Sequence, residues 1–363
     1  MRQPSRSVLF AAACLLPAAL ILIAAAIGGV WLWLALGSLT FLVVGMDRFG
    51  GQAEADAPWI HALPVTVGFV HFAVLAATMI AVGANGPLDS GQKVLLVVAV
   101  GLYAGQVSNA CAHELIHRRD AFSRRLGTAI YCSILNGHHV SAHLLVHHVH
   151  AGTPQDPNSA PLGQGFYRYL ATASIAEYRA GLAAETKRST DRGVVRHPYA
   201  LYTAGAALSL VVSWVVGGVW GMFALLAISL HAQAQLLLSD YVQHYGLRRR
   251  IDPTGKPEPM GPQHSWNAPH RYSAALMMNA PRHSDHHMNP SRDFSQLRLD
   301  EQMPTLPRSV PVMGAVALCP PLWRHMMDRR AQKWSDARSM PAETPSAFAE
   351  HAVDTATASK GLS

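Results

Sequence analysis

Arg282-His283-Ser284-Asp285-His286-His287 sets three imidazoles within a single turn or so of chain. Three and four residues apart, they share one helix face. Pro281, just ahead, suits the first turn of a helix, where its missing N–H is no loss. Two further clusters have the same kind of spacing: His113-Glu114-Leu115-Ile116-His117, and His143 with His147 and His148. His244 stands alone in Asp240-Tyr241-Val242-Gln243-His244-Tyr245-Gly246. One tetrahedral zinc needs only three or four ligands, so nine imidazoles suit two metal ions with four or five nitrogens each. An all-nitrogen set with open positions fits redox-active iron better than magnesium or calcium, which prefer oxygen. The chemistry predicted is that of a non-haem two-iron centre that activates dioxygen.

The elements that must carry these residues are membrane helices. Of 363 residues, 50% are hydrophobic and 14% charged, against roughly 25% charged in soluble domains. Apolar runs predict six spans, at about 8–30, 31–46, 62–83, 93–112, 200–216 and 219–238, each near the ~20 residues that cross a bilayer. The first is too long in its apolar part for a cleaved signal peptide. Between Arg118 and Arg196 no segment is apolar enough to span. Val310 to Leu322 is broken by Pro311, Pro320 and Pro321 and reads as interfacial.

The predicted fold is therefore all-α: a polytopic six-helix membrane domain, residues 1–323, with a histidine-rich cap, then a polar, disordered tail at 324–363. Net charge is +7. Arg2, Arg6, Arg118, Arg119, Arg124, Arg125 and Arg248 to Arg250 all fall on one side, as a cytoplasmic face requires. That puts the clusters and both termini in the cytoplasm. Nothing resembles a nucleic-acid platform. Four isolated cysteines make neither a disulfide framework nor a sulfur-ligated zinc site.

At these residues the chain resembles the membrane-bound alkane monooxygenase family, a relative of the integral-membrane fatty-acid desaturases. The markers are His113-Glu114-Leu115-Ile116-His117, His143 to His148 followed by Thr153-Pro154-Gln155-Asp156-Pro157, His244-Tyr245-Gly246, His264-Ser265-Trp266-Asn267, and Arg282 to His287. The resemblance implies a bacterial plasma-membrane enzyme that inserts one atom of dioxygen into a terminal C–H bond of a medium- or long-chain alkane. It implies nine iron ligands: His113, His117, His143, His147, His148, His244, His283, His286 and His287. Electrons would come from rubredoxin or a ferredoxin with its NAD(P)H-dependent reductase. The chain departs from the family pattern at Ala142, Val146, Asp240, Gln243 and Ala280-Pro281.

Supporting groups follow from the same reading. Glu114, Asp156, Asp240 and Asp285 are expected to accept the free ring N–H of metal ligands. Trp31, Trp33, Phe69, Phe72 and Trp214 are candidates for a channel that admits a substrate from the bilayer. Arg248, Arg249 and Arg250 are candidates for docking an acidic electron carrier. His61, His71 and His231 read as packing or capping residues, and His138, His139, His150, His264 and His270 as outer neighbours of the site. Rival functions are hydroxylation of aromatic methyl groups, as in relatives acting on xylene or cymene, fatty-acyl desaturation, and metal storage or transport. The near absence of ionisable residues deep in the spans counts against the last.

Overall fold

A computed structural model describes residues 6–55, 57–188 and 197–339. The helices run α1 (Ser7–Ile27), α2 (Val30–Leu39), α3 (Phe41–Asp47), α4 (Leu63–Val82) and α5 (Ser90–Tyr103), then a π turn (Ala104–Ser108) leading into α6 (Asn109–His117). Next come α7 (Ala121–Ser133), α8 (His139–Ala142), a second π turn (His143–His147), α9 (His148–His150) and α10 (Phe166–Arg188). The chain closes with α11 (Pro198–His244), α12 (Arg271–Leu276), α13 (His283–Met288), α14 (Val310–Ala317) and α15 (Pro320–Ser339). Among the described residues only two isolated bridges, Ile251 with Pro257 and Asn267 with Thr305, have strand-like pairing.

Four helices are long and apolar enough to cross a membrane: Ser7–Ile27, Pro58–Val82, Ser90–His117 and Pro198–His244. The pair Val30–Leu39 and Phe41–Asp47, bent by 40°, makes a fifth if it is counted as one span. The six-span expectation is thus met in part. Where two spans were expected at 200–216 and 219–238, a single 47-residue helix stands, interrupted only at Gly218. A straight helix of that length would reach about 70 Å, over twice the ~30 Å hydrocarbon core. Gly218 has φ 62° and ψ −156°, and a Cβ placed on Gly221 would lie 2.4 Å from the Ser213 carbonyl oxygen. The chain therefore doubles back on itself there.

The hairpin needs glycine for its backbone rather than for space. Nothing lies within 4 Å of a Cβ built on Gly218, so Gly218→Ala should cost only the backbone strain of a positive-φ, extended conformation open almost only to glycine, about 1–3 kcal/mol. A fall in the thermal midpoint measures it, and no change would mean that the turn relaxes without cost. Gly28 and Gly29 (φ 62° and 63°) make the matching turn between α1 and α2.

Loops are tied to the bundle where the site needs them. Asp47, at the end of α3, accepts the Tyr272 and Ser273 amides at 3.0 and 2.9 Å and so caps α12. The Cys14 thiol of α1 reaches the Leu276 carbonyl at 3.5 Å. The buried Arg282 guanidinium donates to the Leu297 and Ala53 carbonyls, which fixes the approach to α13. Helix α13 begins at His283 with Arg282 as its N-cap, so Pro281 lies outside the first turn where it was expected.

The polar tail is shorter than 324–363. Residues 324–339 are helical, and Trp323, Met327 and Ala331 are fully buried beside Tyr241, Tyr245 and Leu247. Their four-residue spacing gives α15 one apolar stripe among its many charges. Residues 340–363 lie outside the described part of the chain.

Candidate metal centre

Five elements, α6, the second π turn, α9, α11 and α13, bring the nine expected histidines together in two groups. His113, His117, His143, His148 and His286 form one, and His147, His244, His283 and His287 the other. Within each group one ring nitrogen of every member lies within 4.8 Å of all the rest. The groups abut, since the rings of His148 and His287 are 4.7 Å apart.

The π turn explains how adjacent residues serve different groups. In an α-helix His148 would stand about 140° around the axis from His143. Here the backbone N–H of His148 bonds to the His143 carbonyl, an i→i+5 closure. His148 therefore sits one turn above His143 and shares its group, while His147 turns to the other. On α13 the three imidazoles divide in the same way: His283 and His287, a turn apart, go to one group and His286 to the other. All three stand within about 100° of arc, on the one helix face that their spacing implies, and that face serves both groups.

The donors suit a cation. His143 Nε2 lies 3.0 Å from His117 Nε2 and 2.9 Å from His148 Nε2, and His148 Nε2 is 3.1 Å from His286 Nε2. His283 Nε2 stands 2.9 Å from His244 Nε2 and 3.1 Å from His287 Nε2. A neutral imidazole has one N–H and one lone pair, so one nitrogen cannot satisfy two such neighbours. His113 Nε2 and His147 Nε2 are buried with no hydrogen-bond partner at all. A metal ion in each group would accept all of these lone pairs, and neutral nitrogen donors fit iron.

Burial pushes the imidazoles of His143, His148, His286 and His287 well below the ordinary value of 6.5, with neighbouring rings adding to the shift. Burial and then His147 lower His283 to about 3. His147 goes the other way: burial would lower it, but Asp156 above all, then Asp240 and Glu177, raises it to about 9. A base that is harder to protonate when folded loses the fold stability as pH falls below its unfolded value. His147 contributes below 6.5, and its share is lost as pH rises through about 9. Metal-free protein should therefore be most stable between those limits, and its thermal midpoint should drop from about pH 7 to about pH 5. A midpoint that holds or rises over that interval contradicts the burial of neutral rings.

Of the four carboxylates expected to hold ligand rings, one does so. Asp156 Oδ2 accepts from His147 Nδ1 at 2.9 Å. A carboxylate only accepts, so the proton is on Nδ1 and the lone pair on Nε2 faces the group. Glu114 pairs with Arg118 at 3.3 Å, and Asp240 accepts from Asn158 Nδ2 at 2.8 Å. Asp285 accepts from Arg292, from Asn289 Nδ2 at 2.8 Å and from the Arg298 amide at 2.8 Å. Those three brace the loops around the site and reach no ring among the nine.

Glu177 is the carboxylate that sequence reasoning missed. From α10 it bonds His139 Nδ1 at 2.5 Å, and the His139 ring lies 5.1 Å from that of His143. Glu177 is buried, as is Glu185, which accepts from the Ser141 hydroxyl at 2.8 Å. Two acids eight residues apart on one helix face were the available signal. His71 is a satisfied core histidine, between the Ser108 and Ser133 hydroxyls at 2.8 Å each. His61 bonds Asp293 at 2.8 Å near the surface.

One cavity of about 540 Å³ reaches the histidines, with His113, His143 and His283 at one end. Its walls include Leu39, Phe41, Leu102, Leu236, Met277 and Val310. None of Trp31, Trp33, Phe69, Phe72 and Trp214 lines it; Trp33, Phe69 and Trp214 are exposed on the outside of the bundle. Hydrophobicity alone does not tell which way a membrane-facing aromatic points. Arg248 and Arg249 also differ from expectation. Arg248 donates to the Thr153 and Ser159 carbonyls at 3.0 Å each, and Arg249 to Val149 and Glu258 carbonyls at 3.1 and 2.6 Å. They hold the loop after the second cluster, which leaves Arg250 exposed.

Comparison with known proteins gives a consistent result. A family model for fatty acid desaturase matches residues 92–316. Alkane 1-monooxygenase 1 of Pseudomonas aeruginosa is 30% identical, over 82% of this chain and 81% of its own length. Alkane 1-monooxygenase 2 of Alcanivorax borkumensis is 28% identical, over 80% of this chain and 79% of its own. The hydroxylase component of a Pseudomonas putida xylene/toluene monooxygenase is 24% identical, over 89% of this chain and 88% of its own.

Proposed function

The chain belongs to the fatty acid desaturase family and, within it, to the membrane-bound alkane monooxygenases, and we propose that it hydroxylates the terminal carbon of a medium- or long-chain alkane with two non-haem irons. It is an integral-membrane oxidoreductase. The observation that carries the finer reading is the meeting of nine imidazoles, in two groups, at the end of a largely apolar cavity.

Bound iron supplies dioxygen activation and cleavage of the substrate C–H bond. The protein's own residues do the rest. His113, His117, His143, His148 and His286 hold one ion, and His147, His244, His283 and His287 the other. Asp156 fixes the His147 tautomer. Leu39, Leu102, Leu236 and Met277 bind the alkyl chain and keep water away, at about 0.8 kcal/mol per buried CH₂. One methylene more or less is weakly discriminated on that basis.

Six spans with the histidines and both termini cytoplasmic is the topology that fits. Support comes from the hairpin turn at Gly218, which divides the longest helix, and from the exposed Arg119, Arg125 and Arg250 on the histidine side. Rubredoxin or a ferredoxin, served by its reductase, is the proposed electron donor, and those arginines suit an acidic carrier.

The test is metal analysis joined to turnover. Purified protein should hold about two irons per chain, and membranes supplied with donor proteins and NADH should convert octane to octanol with dioxygen consumption. A single zinc, or exchangeable metal without oxygen uptake, would end the reading. The xylene-oxidising relative favours a second reading, aromatic methyl hydroxylation. Parallel incubation with a xylene and a fatty acid separates that outcome and desaturation by product.

A further inference from the structure

His231 and Gln235 are polar residues deep inside a membrane span, where ionisable groups are costly and tend to mark function. Both line the cavity. They stand one turn apart on α11, so their side chains are neighbours. Opposite them on α5 and the first π turn are Gly101 and Gly105, also one turn apart. A Cβ on Gly101 would lie 2.3 Å from His231 Nδ1, and one on Gly105 would lie 2.2 Å from Gln235 Nε2. The two glycines are what give the two polar side chains room between the helices.

Their hydrogen bonding is incomplete. Gln235 Nε2 donates to the Gly101 carbonyl at 2.9 Å, which assigns the amide and leaves Oε1 as an open acceptor. His231 takes part in no hydrogen bond within the described residues. A neutral imidazole offers one donor and one acceptor. A hydroxyl is the smallest group that matches both residues, donating to Gln235 Oε1 and accepting from the His231 ring N–H.

Position decides which end of a ligand they would hold. His231 precedes His244 by thirteen residues and Gly101 precedes His113 by twelve. Gln235 precedes His244 by nine and Gly105 precedes His113 by eight, so at 1.5 Å per residue the polar pair spans about 12–20 Å along the helices from the histidines. Leu102, Leu236 and Met277 supply apolar wall in the same cavity.

We propose that the cavity takes primary alcohols as well as hydrocarbons, with the hydroxyl held by His231 and Gln235 and the far methyl group at the histidines. The product is the α,ω-diol. One C–H bond of the terminal methyl is replaced by C–O. One atom of dioxygen enters that bond and the other leaves as water, with two protons from solvent and two electrons from a small iron–sulfur or iron–thiolate carrier. The inference rests on the oxygenase reading above and adds a substrate class to it.

The experiment uses membranes containing the full chain, NADH, reductase and rubredoxin, offered decane and decanol in parallel. The expected product from decanol is the α,ω-diol. In His231→Leu and Gln235→Leu the ratio of diol formed to decane oxidised should fall about tenfold, the weight of a lost hydrogen bond. The ratio does not depend on how much protein each membrane holds. Decanol oxidised only at its hydroxyl-bearing carbon, or decane oxidised and decanol untouched, would overturn the inference while the oxygenase reading stands. Should wild-type protein oxidise neither compound, the oxygenase reading itself falls. If neither variant accumulates, the regiochemistry of the wild-type product still decides.

Discussion

Replacing His283 by alanine is expected to release one of two irons and to lower alkane oxidation by more than about a hundredfold. The magnitude follows because groups that merely support a ligand already cost 10–100-fold when removed, and His283 is proposed as a ligand itself. Its Nε2 lies between those of His244 and His287, at 2.9 and 3.1 Å, and its side chain lines the cavity. Loss of this ring leaves three imidazoles in its group of four, while the group of five keeps all its members. Iron per chain should therefore fall from about two to about one, with the remaining ion retained through purification. Loss of both ions together would show that the groups act as one site. Full iron content with normal turnover would remove His283 from the centre.

Asp156→Ala should be the next largest effect, a 10–100-fold weakening of iron binding at the group containing His147. Asp156 accepts from His147 Nδ1, and without it the imidazole is free to place its proton on Nε2, where the lone pair is needed. The carboxylate also accepts from the Ser159 hydroxyl at 2.6 Å and the Asn158 amide at 3.1 Å. A lower thermal midpoint in metal-free protein would report the loss of that loop anchor. Iron titration of folded protein separates the two contributions. Unchanged affinity would mean that packing alone orients His147.

The histidine clusters were legible in the sequence because residue type and spacing are both written along the chain, and the structure gathers all nine rings. Their division was not. His147 and His148 look like a pair on one helix until the π turn sends them to different groups, and no residue type announces that turn. Supporting carboxylates were legible only when local. Asp156 is nine residues from its histidine, whereas Glu177 is thirty-eight from His139 and needed the packing of α10 to meet it. Glu114, Asp240 and Asp285 sit beside ligands in sequence, but their oxygens are taken by Arg118, Asn158 and Arg292. Apolar segments were found from hydropathy, yet the way α11 folds back at Gly218 is a matter of one backbone angle. The cavity wall needed direction as well as hydrophobicity, and aromatic content alone pointed to residues on the outside.

The segment His143–His147 holds one residue more than a regular helical turn would. Were the same sequence wound as a regular α-helix, His148 would swing from about one turn above His143 to about 140° around the axis. Deleting one leucine, Leu144 or Leu145, would instead make His148 the fourth residue after His143 and keep that pair together without the π turn. The two histidine groups are in this sense kept distinct by one extra residue: a site that reads as a matter of composition is, at this point, a matter of reading frame along the helix.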